Sequence, residues 1–261
     1  MRRAALLLLV LGMLVVPTAG AAPPSPGVTH VSVPPGTPAV EWGAQLFGAN
    51  CVTCHGPDGR GIFTPVQGSG GTIGLGPSLQ GVGAQAADFY LRTGYMPLQD
   101  PDAQPRRSRV LFSQRELQAL IAYVASLQPG PPVPAPHPEL GNLAEGLQLF
   151  TEHCAGCHQV SAAGGYVTNA VAPRLNDATP VQIAEAARIG PYLMPRFSEK
   201  QISNAQLDSI VRYVVYAGHP DDRGGWALGH VGPVPEGLVT WFIGVAVLVA
   251  TCLVIGRRLR A

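Results

Sequence analysis

Apolar residues recur at three- and four-residue spacing over Leu117, Leu120, Ile121 and Val124, the one-faced stripe of an amphipathic helix. The segment "ELQALIAYVASL" from Glu116 carries that stripe, and "QLDSIVRYVVYA" from Gln206 repeats it at an offset of 90. Upstream, "EWGAQLFGANCVTCHG" repeats as "AEGLQLFTEHCAGCHQ" at an offset of 103, which aligns Gly43 with Gly146, Gln45 with Gln148, Phe47 with Phe150 and Cys51 with Cys154. "GPSL" at 76–79 resembles "APRL" at 172–175. The chain therefore has two similar halves. The smaller second offset means that the second copy has lost loop residues, and the glycine-rich stretch 59–76 is where the first copy is longer.

Each half reads as three helices, so the predicted class is all-α. The first helix runs into the cysteine pair, with Thr37 as N-cap and Pro38 at N1 in the first copy. The middle helix ends at Gly94 in one half and at Gly190 in the other. In the second half, Thr179, Pro180 and Gln182 supply its cap, N1 and N3. Ser113 with Glu116 and Ser203 with Gln206 read as capping boxes that open the last helices.

Two further apolar runs lie at the ends. Residues Ala4 to Val16 follow Arg2 and Arg3 and precede Ala19-Gly20-Ala21, the pattern of a secretory signal over 1–21. As a helix this run is roughly 20 Å long, short of a hydrocarbon core of about 30 Å, which favours a cleaved signal over a retained anchor. Leu238 to Gly256 is 19 residues without a charge, roughly 28 Å of helix and enough to span. Arg257, Arg258 and Arg260 follow it and belong on the cytoplasmic side, with Trp241 near the other interface. Both readings of the N-terminus leave the middle of the chain outside the cytoplasm.

Proline marks the joints. Residues 23–38 hold six prolines and read as an extended, poorly ordered leader, so residues 22–38 are set apart from the first domain, 39–128. Residues 129–138 also hold six, the pattern of a stiff spacer before the second domain, 139–222. A juxtamembrane segment, 223–237, leads to the apolar helix, 238–256, and a tail, 257–261.

Charged residues are only 13% of the chain and the net charge is +1, so nothing points to nucleic acid. Residues 139–236 carry six basic and ten acidic side chains, and "RRSR" at 106–109 is a small basic patch; such charges can steer a docking partner. Of five cysteines, four fall in the repeated motifs and Cys252 fills the apolar run, which leaves no even set for a disulfide framework.

The repeated motif is C-x-x-C-H, the attachment sequence of c-type haem. Cys51 and Cys54, and again Cys154 and Cys157, would add to the two vinyl groups of a porphyrin, while His55 and His158 reach the iron. A redox C-x-x-C would suit a thioredoxin-like chain, whose strands the pattern lacks. A four-cysteine zinc site would leave both histidines unexplained. Two copies on an exported chain select two covalent haem c groups. For the sixth ligand, Met96 in "TGYMPL" and Met194 in "GPYLMPRF" each follow the glycine that ends a middle helix and precede a proline. Core gap-filling explains one such methionine, not the recurrence. His/Met ligation would raise the reduction potential and close the iron to small molecules. Histidines 30, 137, 153, 219 and 230 form no matching pair, and no paired carboxylates or nucleophile constellation point to another site.

Together, two class I cytochrome c domains, an N-terminal signal and one C-terminal membrane helix resemble the dihaem cytochrome c subunit of the actinobacterial cytochrome bc complex, the menaquinol–cytochrome c reductase. The resemblance covers nearly the whole chain. Its most specific part is "GGWALGHVGPVPEGLVTWFIG", residues 224–244. It implies a wire of two haems from the Rieske iron–sulfur protein to cytochrome c oxidase, beside a cytochrome b, with no substrate-converting site on this chain. It further implies that Pro77 and Pro173 pack near the proximal histidines. A membrane-tethered dihaem shuttle, or the cytochrome subunit of a periplasmic dehydrogenase or oxidase, are the other readings.

Overall fold

The computed structural model describes residues 27–64, 76–98, 103–220 and 233–259. The expected signal segment, 1–21, lies outside the described residues, as do most of the glycine-rich stretch and most of the juxtamembrane segment. The first half folds as α1 (Ala39–Asn50), α2 (Val52–His55), α3 (Gly83–Arg92) and α4 (Gln114–Leu127). The second repeats this as α5 (Leu143–His153), α6 (Ala155–His158), α7 (Pro180–Ile189) and α8 (Asn204–Gly218). The expected long helices are present, and each cysteine motif adds a one-turn helix of its own.

The two halves are built on the same helix crossing. α1 packs on α4, and α5 on α8. At the first crossing a Cβ on Gly43 would sit 2.0 Å from Ala119 O, and at the second a Cβ on Gly146 would sit 2.0 Å from Ser209 O. Only glycine lets these backbones approach so closely, which is why it recurs at the aligned position. The aligned aromatics repeat as well: Phe47 meets Tyr123 at 5.1 Å and Phe150 meets Tyr213 at 5.3 Å between ring centroids. Leu46, Phe47 and Leu120 anchor one core, and Phe150, Val211 and Val214 the other.

The capping boxes form as the sequence predicts: Ser113 with Glu116, Thr179 with Gln182, and Ser203 with Gln206. Each such cap contributes about 1 kcal/mol to its helix. Thr37 does not cap α1. Its hydroxyl donates to Pro34 O at 2.8 Å to close the preceding turn, so Pro38 stands at the cap and its carbonyl accepts from the Trp42 amide at 3.0 Å.

The proline-rich segments are extended, as expected, yet they are bound. Asn50 accepts from the Thr29 amide at 2.7 Å, Trp42 Nε1 donates to Val31 O at 2.8 Å, and His30 Nδ1 lies 2.8 Å from Glu116 Oε1. The leader from residue 27 is therefore strapped along the first domain. The spacer behaves alike. α3 has no side-chain cap, and Pro131 O accepts the orphan amide of Gln85 at 3.1 Å instead. At its far end the His137 amide donates to Asp208 at 2.7 Å.

The halves also touch directly, α3 against α7. An antiparallel hairpin, β1 (Gly165–Val167) and β2 (Ala170–Ala172), is the one element type the sequence reading missed. Its turn places Asn169 at φ +61°. Gln104 from the first half clasps it, donating to Val171 O at 2.7 Å and accepting from the Val171 amide at 2.9 Å. Arg107 of the basic patch donates to Asp177 O at 3.1 Å and to Gln182 Oε1. The partner of that arginine is thus the chain's own second half.

α9 (Pro233–Arg258) extends the expected apolar run, and Gly237–Arg258 within it is long and apolar enough to cross a membrane. Its most apolar window buries nothing against the rest of the protein, as suits a membrane anchor rather than a core helix.

Candidate haem centres

Each motif is positioned by the end of a long helix. The Cys51 amide still donates to Phe47 O at 2.8 Å, but Cys51 takes φ −120°, so the chain turns before α2. Cys154 does the same with φ −124° before α6. The next turn closes through His55 N to Cys51 O and His158 N to Cys154 O, both 2.9 Å. Within one turn, positions i, i+3 and i+4 share a face. That is the physical use of the spacing: two sulfurs and one imidazole on the same side.

The histidine rings are held by their far nitrogens. His55 Nδ1 lies 2.8 Å from Pro77 O, and His158 Nδ1 lies 3.0 Å from Pro173 O. A carbonyl accepts only, so Nδ1 carries the hydrogen and the Nε2 lone pair is left for a metal. Burial lowers the pKa of both rings, against the opposing pull of the carbonyl bond, which favours the neutral imidazole. Pro77 and Pro173 thus stand beside the histidines and hold them through their carbonyls. Gly76 closes the first cradle: a Cβ there would meet Cys54 O at 2.5 Å and His55 Nδ1 at 2.9 Å.

The first thiol of each motif is shifted away from the thiolate. Burial, with help from the neighbouring cysteine, pushes Cys51 up to about 12 and Cys154 up to about 11. Thiolate chemistry requires the opposite shift. Among the described residues no group of three or more histidine, cysteine or carboxylate side chains is placed to hold a metal ion.

In the second half the expected residues converge on one cavity, about 1430 Å³ with its mouth included. Cys154, Cys157, His158 and Met194 line it, with Phe150, Ile183, Leu207, Ile210 and Val214. His153 also lines it, its ring 5.9 Å from Phe197. In the first half, Cys54 and His55 lie on α2 with Cys51 at its N-terminal cap, and Met96 comes from the loop after α3, where its amide donates to Tyr90 O at 3.1 Å. Gly94 and Gly190, at φ +68° and +67°, turn the chain toward the two methionines.

The second cavity has a wall no sequence signal marks. Phe89, Thr93, Tyr95, Gln104, Pro105 and Arg107 of the first half line it. Among the described residues no carboxylate does, while Arg107 and Arg174 bring positive charge. A large apolar group carrying its own carboxylates, attached through two thiols and ligated by a neutral imidazole, fits this lining.

Comparison with known proteins agrees with this fit. Residues 40–128 match the family model "Cytochrome c", and residues 141–214 match "Cytochrome C oxidase, cbb3-type, subunit III". The "Cytochrome bc1 complex cytochrome c subunit" of Corynebacterium diphtheriae is 32% identical, over 84% of this chain and 81% of that one. The protein of the same name from Mycobacterium tuberculosis is 36% identical, over 83% and 77%. The "Cbb3-type cytochrome c oxidase subunit FixP" of Rhizobium meliloti is 30% identical over 54% of this chain and 45% of its own length.

Proposed function

The chain belongs to the family of cytochrome bc1 complex cytochrome c subunits, and we propose that it relays single electrons from the Rieske iron–sulfur protein of a quinol-oxidising complex to cytochrome c oxidase. It is an electron-transfer cytochrome of two cytochrome c domains and two haem c groups. Haem c, when bound, supplies an iron that takes up and releases one electron.

The chain's own residues do the rest. Cys51 and Cys54 hold one haem covalently, and Cys154 and Cys157 the other. His55 with Met96 would hold one iron, and His158 with Met194 the other. Pro77 O and Pro173 O fix the ring tautomers, so the imidazoles need not reorient when charge changes. The domains run over 39–128 and 139–222, and α9 anchors them with its basic end inside, which puts both haem domains on the outer face.

One observation carries the relay reading. Tyr95, next in sequence to Met96, lies in the wall of the second cavity. The loop that ligates the first iron is therefore also a side of the second site, and an electron moving between them crosses packed protein rather than water.

Partial likeness to a cbb3 oxidase subunit favours, as a second reading, attachment to an oxidase alone; it extends over about half of the chain. Purification of the full chain in mild detergent separates the two. The expected result is co-purification with a cytochrome b and a Rieske protein; emergence with an oxidase alone, or with no partner, contradicts the proposal.

A further inference from the structure

The sequence offered no paired carboxylates, but the fold makes one. Glu185 on α7 and Asp88 on α3 are 97 positions apart and meet where the two domains pack. Glu185 is fully buried, and neither of its oxygens has a hydrogen-bond donor. Asp88 is nearly as buried, and its Oδ1 accepts from Arg92 Nε at 2.6 Å. Two ionised carboxylates cannot face one another in such a place without severe repulsion. A single proton would remove the conflict: a Glu185 O–H would donate to the Asp88 carboxylate, which Arg92 already holds through Oδ1.

The surroundings agree. Burial and the Asp88 charge push Glu185 up to about 8, against the pull of Arg92. Those are the charged groups that face it. Arg188, on the same helix, is turned to Phe197 O, Ile202 O and Asn204. On α8, packed behind α7, Asp208 bonds the His137 amide and Arg212 bonds Gly141 O. Along the interface, Arg107 bonds Gln182 and Asp177 O.

The pair also sits beside the second site, and its helix α3 leads on to the loop that carries Met96. Gln182, Ile183, Ala186 and Ala187 of α7 line the second cavity, so Glu185 is within a turn of its wall. α3, which carries Asp88, continues through Gly94 and Tyr95 to Met96. Charge changes across so little low-dielectric protein are felt strongly.

We propose that Glu185 and Asp88 form a proton-binding site between the two domains, whose proton occupancy rises as the chain is reduced and falls as it is oxidised. Arrival of one electron favours addition of one proton from water, forming an O–H bond at a Glu185 carboxylate oxygen. Departure of the electron favours return of that proton to water. The inference rests on both haems being held as proposed above.

The sign follows from charge: ionised Glu185 opposes an added electron, so the midpoint potential falls as pH rises through its titration. Spectroelectrochemistry of the full-length, detergent-solubilised protein from pH 6 to 10 tests this. The expected change is about threefold in the reduction equilibrium, ~28 mV for one electron. Glu185→Gln, whose amide can donate to Asp88, is expected to abolish it. Asp88→Asn removes the like charge and is expected to move the titration to lower pH. A flat wild-type profile, or an unchanged profile in Glu185→Gln, overturns the inference; if that variant does not fold, an unmoved titration in Asp88→Asn does so. Haem content and the red methionine–iron band of the same samples report separately on the ligation.

Discussion

Replacing Cys154 and Cys157 together by alanine is expected to halve the haem content, from two per chain to one by pyridine haemochrome. The loss should reach beyond the count. Phe150, Ile183, Leu207, Ile210 and Val214 of the second core face the cavity as well as one another, so that core is incomplete without its occupant. A domain of this size buries too little surface to tolerate such a loss. The second domain is expected to melt well before the first, as a separate transition in a thermal scan. The double replacement of Cys51 and Cys54 should give the mirror result. A chain that keeps two haems after either change would refute the attachment.

Replacing Met194 by leucine is expected to remove half of the weak red charge-transfer band of the oxidised protein and to lower one midpoint potential by on the order of 0.1 V or more, since axial ligands set haem potentials over a range of about 0.8 V. Leucine keeps the apolar volume and removes the sulfur, so the change reads ligation rather than packing. Met194 lines the same cavity as His158 and both cysteines, as the proposed ligation requires, and His153 lines it too. Met96→Leu is expected to remove the other half of the band. An unchanged band in either variant contradicts the assignment of that methionine.

Much of this was legible in the chain. Gly43 and Gly146, Phe47 and Phe150, and the three capping boxes are local or periodic features, and each forms the contact its position suggests. The i, i+3, i+4 placement of two thiols and an imidazole follows from one helical turn. What escaped was non-local. The hairpin at 165–172 is three residues a side, too short for alternation to register, and it leans on Gln104, 67 positions upstream. The proline-rich stretches read as unbound because composition reports their extension and not the carbonyls, such as Pro131 O, that they offer to a helix end. Nothing in the sequence marks Glu185, which is buried where α3 packs on α7.

The relay itself is tested most directly by adding a menaquinol analogue to the purified complex, without oxygen, and following the c-type haem absorbance by stopped flow. Reduction of two haem c equivalents for each copy of this chain, abolished by an inhibitor of quinol oxidation, is the expected result. Haem c that stays oxidised while cytochrome b is reduced would contradict a path through this subunit.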